Sequence, residues 1–442
     1  MPSCLMRRLR AHLPPLLAER AFRRFWTGQS ISMFGDQVTL LAIPLVAVLV
    51  LDAGPTQMGL LTAAGMLPHL LFAVWFGTVL DRHGRRRQAM IMADVLRAAL
   101  LLSIPIAAVM GGLTLPHLYG VAFTIGMLDA LFYVACGTLF VSLVSSDQYL
   151  SGASLLAGSR ATAQVAGQGI AGVLIGILTA PVVLALDALT FLVSAICMGS
   201  IRPVEPAVDT SSNGRIMAGL RFIRRSPYIR AALGATSILN FFNYMFVAVF
   251  VLFATTELGL RPGVLGIVLG CAAIGAFVAT TVTGRIGARL GLGRSFVLGC
   301  LLFQAPLVLV PLATGSQHSI VAMLLIAEFA AGFGVMVLDI SASAIFAAAI
   351  PDELRARVTG AYLTMNYGVR PLGALAGGAL GSAIGLRDTL LVATLGGLVG
   401  VLLAWRSQLW NLVEVDRAAP VAEVVEEPDV PASVPERVAA SR

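Results

Sequence analysis

The sequence has little charge. Only 12% of its 442 residues are Asp, Glu, Lys or Arg, and none of the 30 basic residues is a lysine. Soluble globular domains carry roughly twice that charged fraction. Hydrophobic residues make up 58% of the chain, and the mean hydropathy is +0.89. The composition therefore excludes a soluble protein and predicts a chain that crosses a membrane many times.

The sequence also lacks the motifs of soluble catalysts. It contains no P-loop, no dinucleotide fingerprint and no His/Cys metal cluster, and its five cysteines are scattered without a disulfide or metal spacing. These absences argue against an ATP-driven pump. They also predict that the protein is not an enzyme and that it has no metal site and no cofactor. The net charge of +7 does not indicate nucleic-acid binding, because the arginines lie in the links between apolar runs.

The apolar runs predict an all-α membrane protein with twelve transmembrane helices. A helix needs about 20 residues to cross a bilayer. The predicted spans are residues 25–51, 57–80, 88–110, 116–141, 153–178, 181–201, 230–254, 262–284, 295–313, 319–347, 358–384 and 388–405.

The arginines predict the orientation. If both termini are cytoplasmic, 25 of the 30 arginines fall on the cytoplasmic side, and only Arg261 and Arg387 fall in external links. Positively charged links stay on the cytoplasmic side of a membrane. The N-terminus is rich in arginine but has no cleavage-site pattern after a short apolar core, so we expect no signal peptide.

The apolar runs and the links between them predict five segments. Two six-helix halves, 25–201 and 230–405, are joined by a cytoplasmic linker, 202–229, in which Ile216–Ile223 resembles a short amphipathic surface helix. Residues 1–24 are predicted to be a cytoplasmic arm near anionic lipid headgroups, and 406–442 to be a disordered cytoplasmic tail.

The turn between the second and third spans is the most specific motif. It reads G-x-x-x-D-R-x-G-R-R-R over residues 77–87, and it resembles the signature loop of the major facilitator superfamily. A decayed copy without the acidic residue follows at 284–294, which is what duplication of a six-helix half would leave. The resemblance implies two pseudo-symmetric six-helix halves. It also implies a gating role for the turn and for the adjacent third helix, carried by Gly77, Asp81, Arg82, Gly84, Arg85, Arg86, Asp94 and Arg97.

Two further phrases narrow this resemblance. Residues 22–36, ending in Gly35-Asp36, and residues 351–358 are similar to bacterial drug-proton antiporters related to macrolide efflux proteins and the enterobactin exporter. The resemblance implies proton-driven export of amphiphilic drugs or siderophore-like compounds by a monomer in the bacterial plasma membrane.

Ionisable groups inside the spans are the candidate site residues, because a charge at the centre of a transmembrane helix costs about 2.5–3.5 kcal/mol or more. Asp36 lies eleven residues beyond Phe25, which places it about 16 Å deep, and Gln29, Ser32 and Gly35 suggest a hydrated, closely packed face around it. The candidates for proton coupling or substrate contact are Asp36, Asp129, Glu328, Asp339, Arg160 and Arg370.

Other polar groups have structural alternatives. Asp94 and Arg97 are three residues apart and can pair locally as a latch onto the basic turn, and His69 beside Pro68 fits a polar kink residue. Polar and aromatic residues of the seventh, ninth and eleventh spans could form a cavity wall or bind helices together. An importer of a small metabolite, or a sensor or scaffold that transports nothing, would share the fold. The expected partners are a small-molecule substrate, the proton and the lipid bilayer.

Overall fold

The structure is a computed structural model that describes residues 15–145, 148–201 and 216–412. Helices make up nearly all of these residues, and they contain no β-strand. A membrane environment explains this composition, because a backbone in lipid must satisfy its hydrogen bonds within its own segment.

Twelve long helices follow one another along the chain, and each coincides with one predicted span. Those of the first half are α1 Arg20–Leu51, α2 Pro55–His83, α3 Arg86–Val109, α4 Leu115–Leu143, α5 Tyr149–Leu178 and α6 Ala180–Gly199. Those of the second half are α7 Pro227–Thr256, α8 Pro262–Leu290, α9 Leu292–Gln304, α10 Gln317–Ala349, α11 Asp352–Ile384 and α12 Leu386–Arg406. A 3₁₀ turn, Ala305–Leu309, extends α9. Ten of these segments are long and apolar enough to cross a membrane, and α2 and α11, of 29 and 33 residues, pack beside them.

The packing repeats after six helices. In the first half α1 packs on α5 and α6, α2 on α4, and α3 on α4 and α6. In the second half α7 packs on α11 and α12, α8 on α10, and α9 on α10 and α12. The two sets of pairs correspond one to one, as a duplicated six-helix unit requires. The main contacts between the halves are α2 with α11 and α5 with α8.

The halves meet at only one end of the bundle. We call the face where α1 begins and α12 ends the terminal face, and the opposite one the distal face. Near the distal face Gly59 of α2 lies against Gly378 of α11, and Gly172 of α5 lies against Gly266 of α8. Toward the terminal face the same four helices carry Gly77, Gly158, Gly284 and Gly360. A Cβ added to any of these glycines would meet no atom within 4 Å. The halves are therefore closed together distally and apart at the terminal face.

The chain ends are more ordered than the sequence predicted. Leu16, Leu17 and Phe22 are buried, so residues 15–24 pack against the bundle and are not a free arm. Beyond α12, Gln408–Asn411 form a 3₁₀ turn, and the Leu412 carbonyl accepts a hydrogen bond of 2.9 Å from the Gly293 amide. The predicted disordered tail is wrong for these residues. Residues 1–14 and 413–442 lie outside the described part.

The predicted linker helix is present as Ile216–Arg225. It packs on α11, and Ile223 is buried in the core of the second half. Its basic residues Arg221, Arg224 and Arg225 are exposed. The rest of the predicted linker, residues 202–215, lies outside the described residues.

Candidate functional site

A cavity of about 440 Å³ lies between the two halves. Helices α1, α2 and α4 contribute most of its first wall, and α7 and α10 most of its second. Both walls are mainly apolar, with Leu61 and Ile125 on one side and Phe246 and Phe250 on the other. Its volume is within the range of sites that hold drug-sized ligands. Its polar lining consists of Thr39, Thr62, His69, Asp129, Gln168, Asn243, Tyr244 and Glu328.

Arg97 binds two carboxylates in the first half. Its guanidinium lies 3.5 Å from the buried carboxylate of Asp94 and forms an ion pair with Asp129 of α4. The rings of Phe132 and Phe191 flank it, with centroids 4.8 and 5.4 Å from Cζ. The predicted local pair with Asp94 is confirmed. The contact with Asp129 was missed, because no spacing along the chain relates residues on different helices.

Asp129 links this buried pair to the cavity. The Asp129 side chain keeps 36% of its exposure, whereas Arg97 keeps 3% and Asp94 none. Asp129 therefore presents one carboxylate to both the cavity and the buried arginine.

Asp36 is exposed on α1 and lies one turn from Leu40, which lines the cavity. Its nearest electrostatic partners include Asp129 and Arg97. The predicted face of α1 is closely packed but not hydrated, because Gln29, Ser32 and Gly35 are all buried. A Cβ added to Gly35 would collide with α6. Asp36 is therefore an exposed carboxyl group beside a buried stretch of α1.

Asp187 of α6 has a structural environment. Its carboxylate accepts hydrogen bonds from Thr39 at 2.5 Å and from Thr190 at 2.9 Å. It is 2% exposed. These bonds hold α1 against α6 beside the cavity.

Arg370 of α11 is the principal charge of the opposite wall. Its Nε donates to Asn240 Oδ1 at 2.9 Å, and its Nη1 donates to the Tyr244 hydroxyl at 3.2 Å. Its Cζ lies 3.8 Å from the ring centroid of Tyr367 and 5.0 Å from that of Tyr244. Tyr244 lines the cavity, so Arg370 lies directly behind the cavity wall.

A polar network between Arg370 and the terminal face joins α7 to α11. Thr236 shares a hydrogen bond of 2.6 Å with Tyr362 and accepts one of 2.8 Å from Asn366. Gln304 is fully buried and donates to carbonyls of α12. Both alternatives for these polar groups are therefore realised: Asn366 and Gln304 bind helices together, whereas Asn243, Tyr244 and Phe246 line the cavity.

The remaining predicted site residues lie in different places. Glu328 of α10 lines the cavity and is 8% exposed. Asp339, eleven residues further along α10, and Arg160 of α5 are exposed and are not among the lining residues. His69, which the sequence suggested as a polar kink residue, also lines the cavity. Its position as a polar residue beside a helix-interrupting proline was the available signal.

The basic turn is held against the first half. Gly84 ends α2 with φ of 65°, a left-handed conformation that glycine tolerates. Arg86 is buried, and Arg87 Nε donates to the Met198 carbonyl at 2.9 Å. A Cβ added to Gly77 would meet no atom within 4 Å, so no neighbouring helix packs closely on it.

The other gating candidates of the turn are less defined. Arg82 and Arg85 are exposed. The Asp81 side chain lies outside the described part of the structure, so its predicted pairing with these arginines stays a prediction.

Comparison with known proteins identifies the family. The sequence model of the transmembrane secretion effectors, a group of major facilitator transporters, matches residues 11–439. The chain belongs to this family. Its fold is accordingly the major facilitator fold, and its activity is transport.

Two relatives align over most of their length. The chain is 22% identical over 379 residues to the uncharacterized MFS-type transporter YfiS of Bacillus subtilis, covering 83% of this chain and 88% of that one. It is 25% identical over 380 residues to the multidrug efflux pump Tap of Mycolicibacterium fortuitum, covering 82% and 89%.

Solved structures share this family's fold at low identity. A bacterial homologue of the iron transporter ferroportin, in an inward-facing state, matches with a TM-score of 0.73 and 15% identity over 88% of this chain and 98% of that one. A bacterial homologue of the lysosomal transporter Spinster, inward-facing and occupied, matches with a TM-score of 0.70 and 13% identity over 92% and 99%.

Proposed function

We propose that this transporter exports amphiphilic small molecules in exchange for protons. The observation that carries the proposal is the pair of carboxyl groups, Asp36 and Asp129, beside a mainly apolar cavity that both halves line. The apolar walls suit the body of an amphiphile, and the carboxyl groups supply exchangeable protons. The distant similarity to a multidrug efflux pump supports export.

The orientation follows from charge. The turn with Arg82 and Arg85 lies at the terminal face, and so does the exposed basic surface of the linker helix. Because basic links stay cytoplasmic, we assign the terminal face and both termini to the cytoplasm of a bacterial cell. The contacts at the distal face then support an inward-facing state, in which the cavity receives substrate from the cytoplasm. We expect the monomer to be sufficient, because both cavity walls come from one chain.

Proton coupling would use the buried arginine as a switch. When Asp129 is ionised it holds Arg97, and when Asp129 is protonated this ion pair weakens. Asp36 is the nearby carboxyl group that can take or return the proton. One proton crossing about 100 mV releases about 2.3 kcal/mol. That free energy sustains about a fifty-fold substrate gradient.

The signature turn would act as a cytoplasmic latch in the alternate state. The exposed Arg85 is available for a partner when the terminal ends close together. We propose that Asp81 and Arg85 hold that closure, with Gly77 allowing the approach. Asp81→Asn should then slow transport without preventing membrane insertion.

Reconstitution into proteoliposomes tests the function. The probe is a set of amphiphilic dyes, with an imposed pH gradient that is acidic inside and a pyranine reporter for proton release. We expect dye accumulation with proton efflux for the parent, and loss of both for Asp129→Asn. The exposed distal residue Asp388, changed to Asn, is the control and should behave as the parent does. Accumulation that ignores the pH gradient would contradict proton coupling, and dye movement with the protons would indicate an importer.

A further inference from the structure

Arg370 differs from Arg97 in having no acid partner among the described residues. Arg97 contacts two carboxylates within ion-pair distance. Among the described residues, Arg370 has no carboxylate within 4.0 Å, and its hydrogen bonds go to a neutral amide and a neutral hydroxyl. Asp339 of the same half feels the charge of Arg370 but forms no ion pair with it. The charge of Arg370 is therefore supported by dipoles and aromatic rings but is not neutralised.

The surroundings fix the guanidinium without covering it. Asn240 donates its own amide to the Thr236 carbonyl at 2.9 Å, which turns Asn240 Oδ1 toward Arg370 Nε. Tyr367 stacks on one side of the guanidinium plane. The Nη2 atom makes no hydrogen bond to the described residues and is not among the buried polar atoms without partners. The guanidinium is thus held in place through Nε and Nη1, and Nη2 keeps its N–H donors free of partners among the described residues.

The open edge lies beside the cavity wall. Tyr244, which accepts from Arg370 Nη1 at 3.2 Å, lines the cavity. A planar guanidinium with free donors matches the geometry of a carboxylate, sulfonate or phosphate, which it can bind through two parallel hydrogen bonds. In apolar surroundings such an anion would also supply the missing counter-charge.

We propose that Arg370 recognises an acidic group of the transported molecule, so that the substrates are amphiphiles with an oxyanion head and an apolar body. This inference rests on the proposed function and specifies its substrate class. The head binds at Arg370 and Tyr244, and the body occupies the apolar space near Phe246 and Phe250. Proton exchange at the opposite wall then accompanies movement of a negative charge.

Two dyes with one skeleton test this recognition. The anionic probe is 8-anilinonaphthalene-1-sulfonate, and its neutral counterpart, N-phenyl-1-naphthylamine, lacks only the sulfonate. Binding of each to the purified full chain in detergent is measured by fluorescence, with the signal of protein-free micelles subtracted. We expect the parent to bind the anionic dye at least tenfold more tightly than the neutral one. Equal affinity for the two dyes would overturn the proposal without any mutation.

Variants then assign the preference to Arg370. Arg370→Gln should weaken binding of the anionic dye about tenfold or more and change that of the neutral dye less than twofold. Arg370→Lys, which keeps the charge but not the fork, should be intermediate. Arg285→Gln removes an exposed arginine far along α8 and should leave both affinities unchanged. An equal loss for both dyes in Arg370→Gln, or no loss for either, would overturn the assignment.

The binding measurement tests anion recognition and the transport measurement tests proton-driven export, so either proposal can be wrong while the other stands. If the parent prefers the anionic dye through Arg370 but accumulates no dye under a pH gradient, proton-driven export is wrong and anion recognition stands. If the parent accumulates dyes under the gradient without preferring the anionic one, export stands and the substrate class is wrong. Displacement of the bound anionic dye from the unmodified chain gives a further check, because decyl sulfate should displace it at least tenfold more effectively than decanol.

Discussion

Gly59 of α2 lies directly against Gly378 of α11, so that a Cβ added to Gly59 would stand 2.7 Å from the Cα of Gly378. The other contact between the halves repeats this arrangement, with a Cβ added to Gly172 standing 2.8 Å from the Cα of Gly266. Gly59 and Gly266 each come four residues after the proline that begins their helix. Two contacts related by the internal repeat thus close the distal face, and both require helices with no side chain between them.

A bulky residue at this contact should open the distal face. Overpacking a close contact typically costs about 1–3 kcal/mol. We expect Gly59→Leu to shift the population away from the distally closed state by a factor of about 5 or more. The measurement is labelling of a cysteine placed at Leu61, a lining residue, by an impermeant maleimide on cells carrying a cysteine-free background.

Gly120→Leu is the matched control, since an added Cβ at Gly120 would meet no neighbouring atom within 4 Å. It should label at the parent rate. Equal labelling of the Gly59 and Gly120 variants would show that the glycine contact does not hold the distal face closed.

A disulfide across the same face should stop the transport cycle. The hydroxyls of Thr56 on α2 and Ser382 on α11 are 3.1 Å apart. In the cysteine-free background, Thr56→Cys with Ser382→Cys should form a disulfide on oxidation and abolish transport until a thiol reductant is added. The single Thr56→Cys variant should be insensitive to oxidation. Undiminished transport by the oxidised double variant would mean that the distal contact need not separate.

Arg97 should be essential for stability. Removing one member of a buried ion pair leaves an uncompensated charge and costs about 3–5 kcal/mol. We expect Arg97→Met to lower the midpoint of thermal unfolding in detergent markedly, and Arg97→Met with Asp94→Leu to recover part of the loss. Arg285→Met, at an exposed position, should change the midpoint little. A midpoint for Arg97→Met equal to that of the Arg285 variant would rule out the structural importance of the buried pair.

A substitution at Asp36 should distinguish proton coupling from substrate binding. Asp36→Asn keeps the size and hydrogen-bonding capacity of the side chain but removes its exchangeable proton. We expect loss of gradient-driven accumulation in proteoliposomes, while counterflow, which needs no net proton movement, is largely kept. Accumulation at the parent rate would transfer the coupling role to Asp129 or Glu328. Loss of counterflow as well would make Asp36 a substrate contact.

Cysteine labelling tests the orientation. Single cysteines at Thr114, Ser316 and Asp388, all exposed at the distal face, should react with an impermeant maleimide on intact cells. A cysteine at the exposed Arg82 should react only after the membrane is permeabilised. Labelling of the Arg82 position from outside would reverse the assignment of the two faces.

Much of the architecture could be predicted from the sequence because its signals are local. The length and apolarity of each run specify a membrane helix, and the twelve predicted spans coincide with the observed helices. The repeated turn at 77–87 and 284–294 indicated the duplication that the packing confirms. Asp129, Glu328 and Arg370 stood out as charges in apolar spans, and all three lie at or directly behind the cavity wall.

Which way each helix faces was decided only by the tertiary structure. A transmembrane helix meets apolar surroundings on both sides, from lipid and from neighbouring helices, so its sequence carries a weak signal of its inner face. For this reason Ser32 was expected in a hydrated space but is buried, and the position of His69 in the cavity lining was not predicted.

The same limit applies to pairings between helices. The sequence determined that Arg97 needs an acid, and it offered Asp94 three residues away. Only the packing of α3 beside α4 brought Asp129 to the same guanidinium, and the separate packing of α11 left Arg370 with no acid partner in the described part of the chain. Charges in a membrane must find partners in space, and the sequence specifies how many charges there are but not which of them meet.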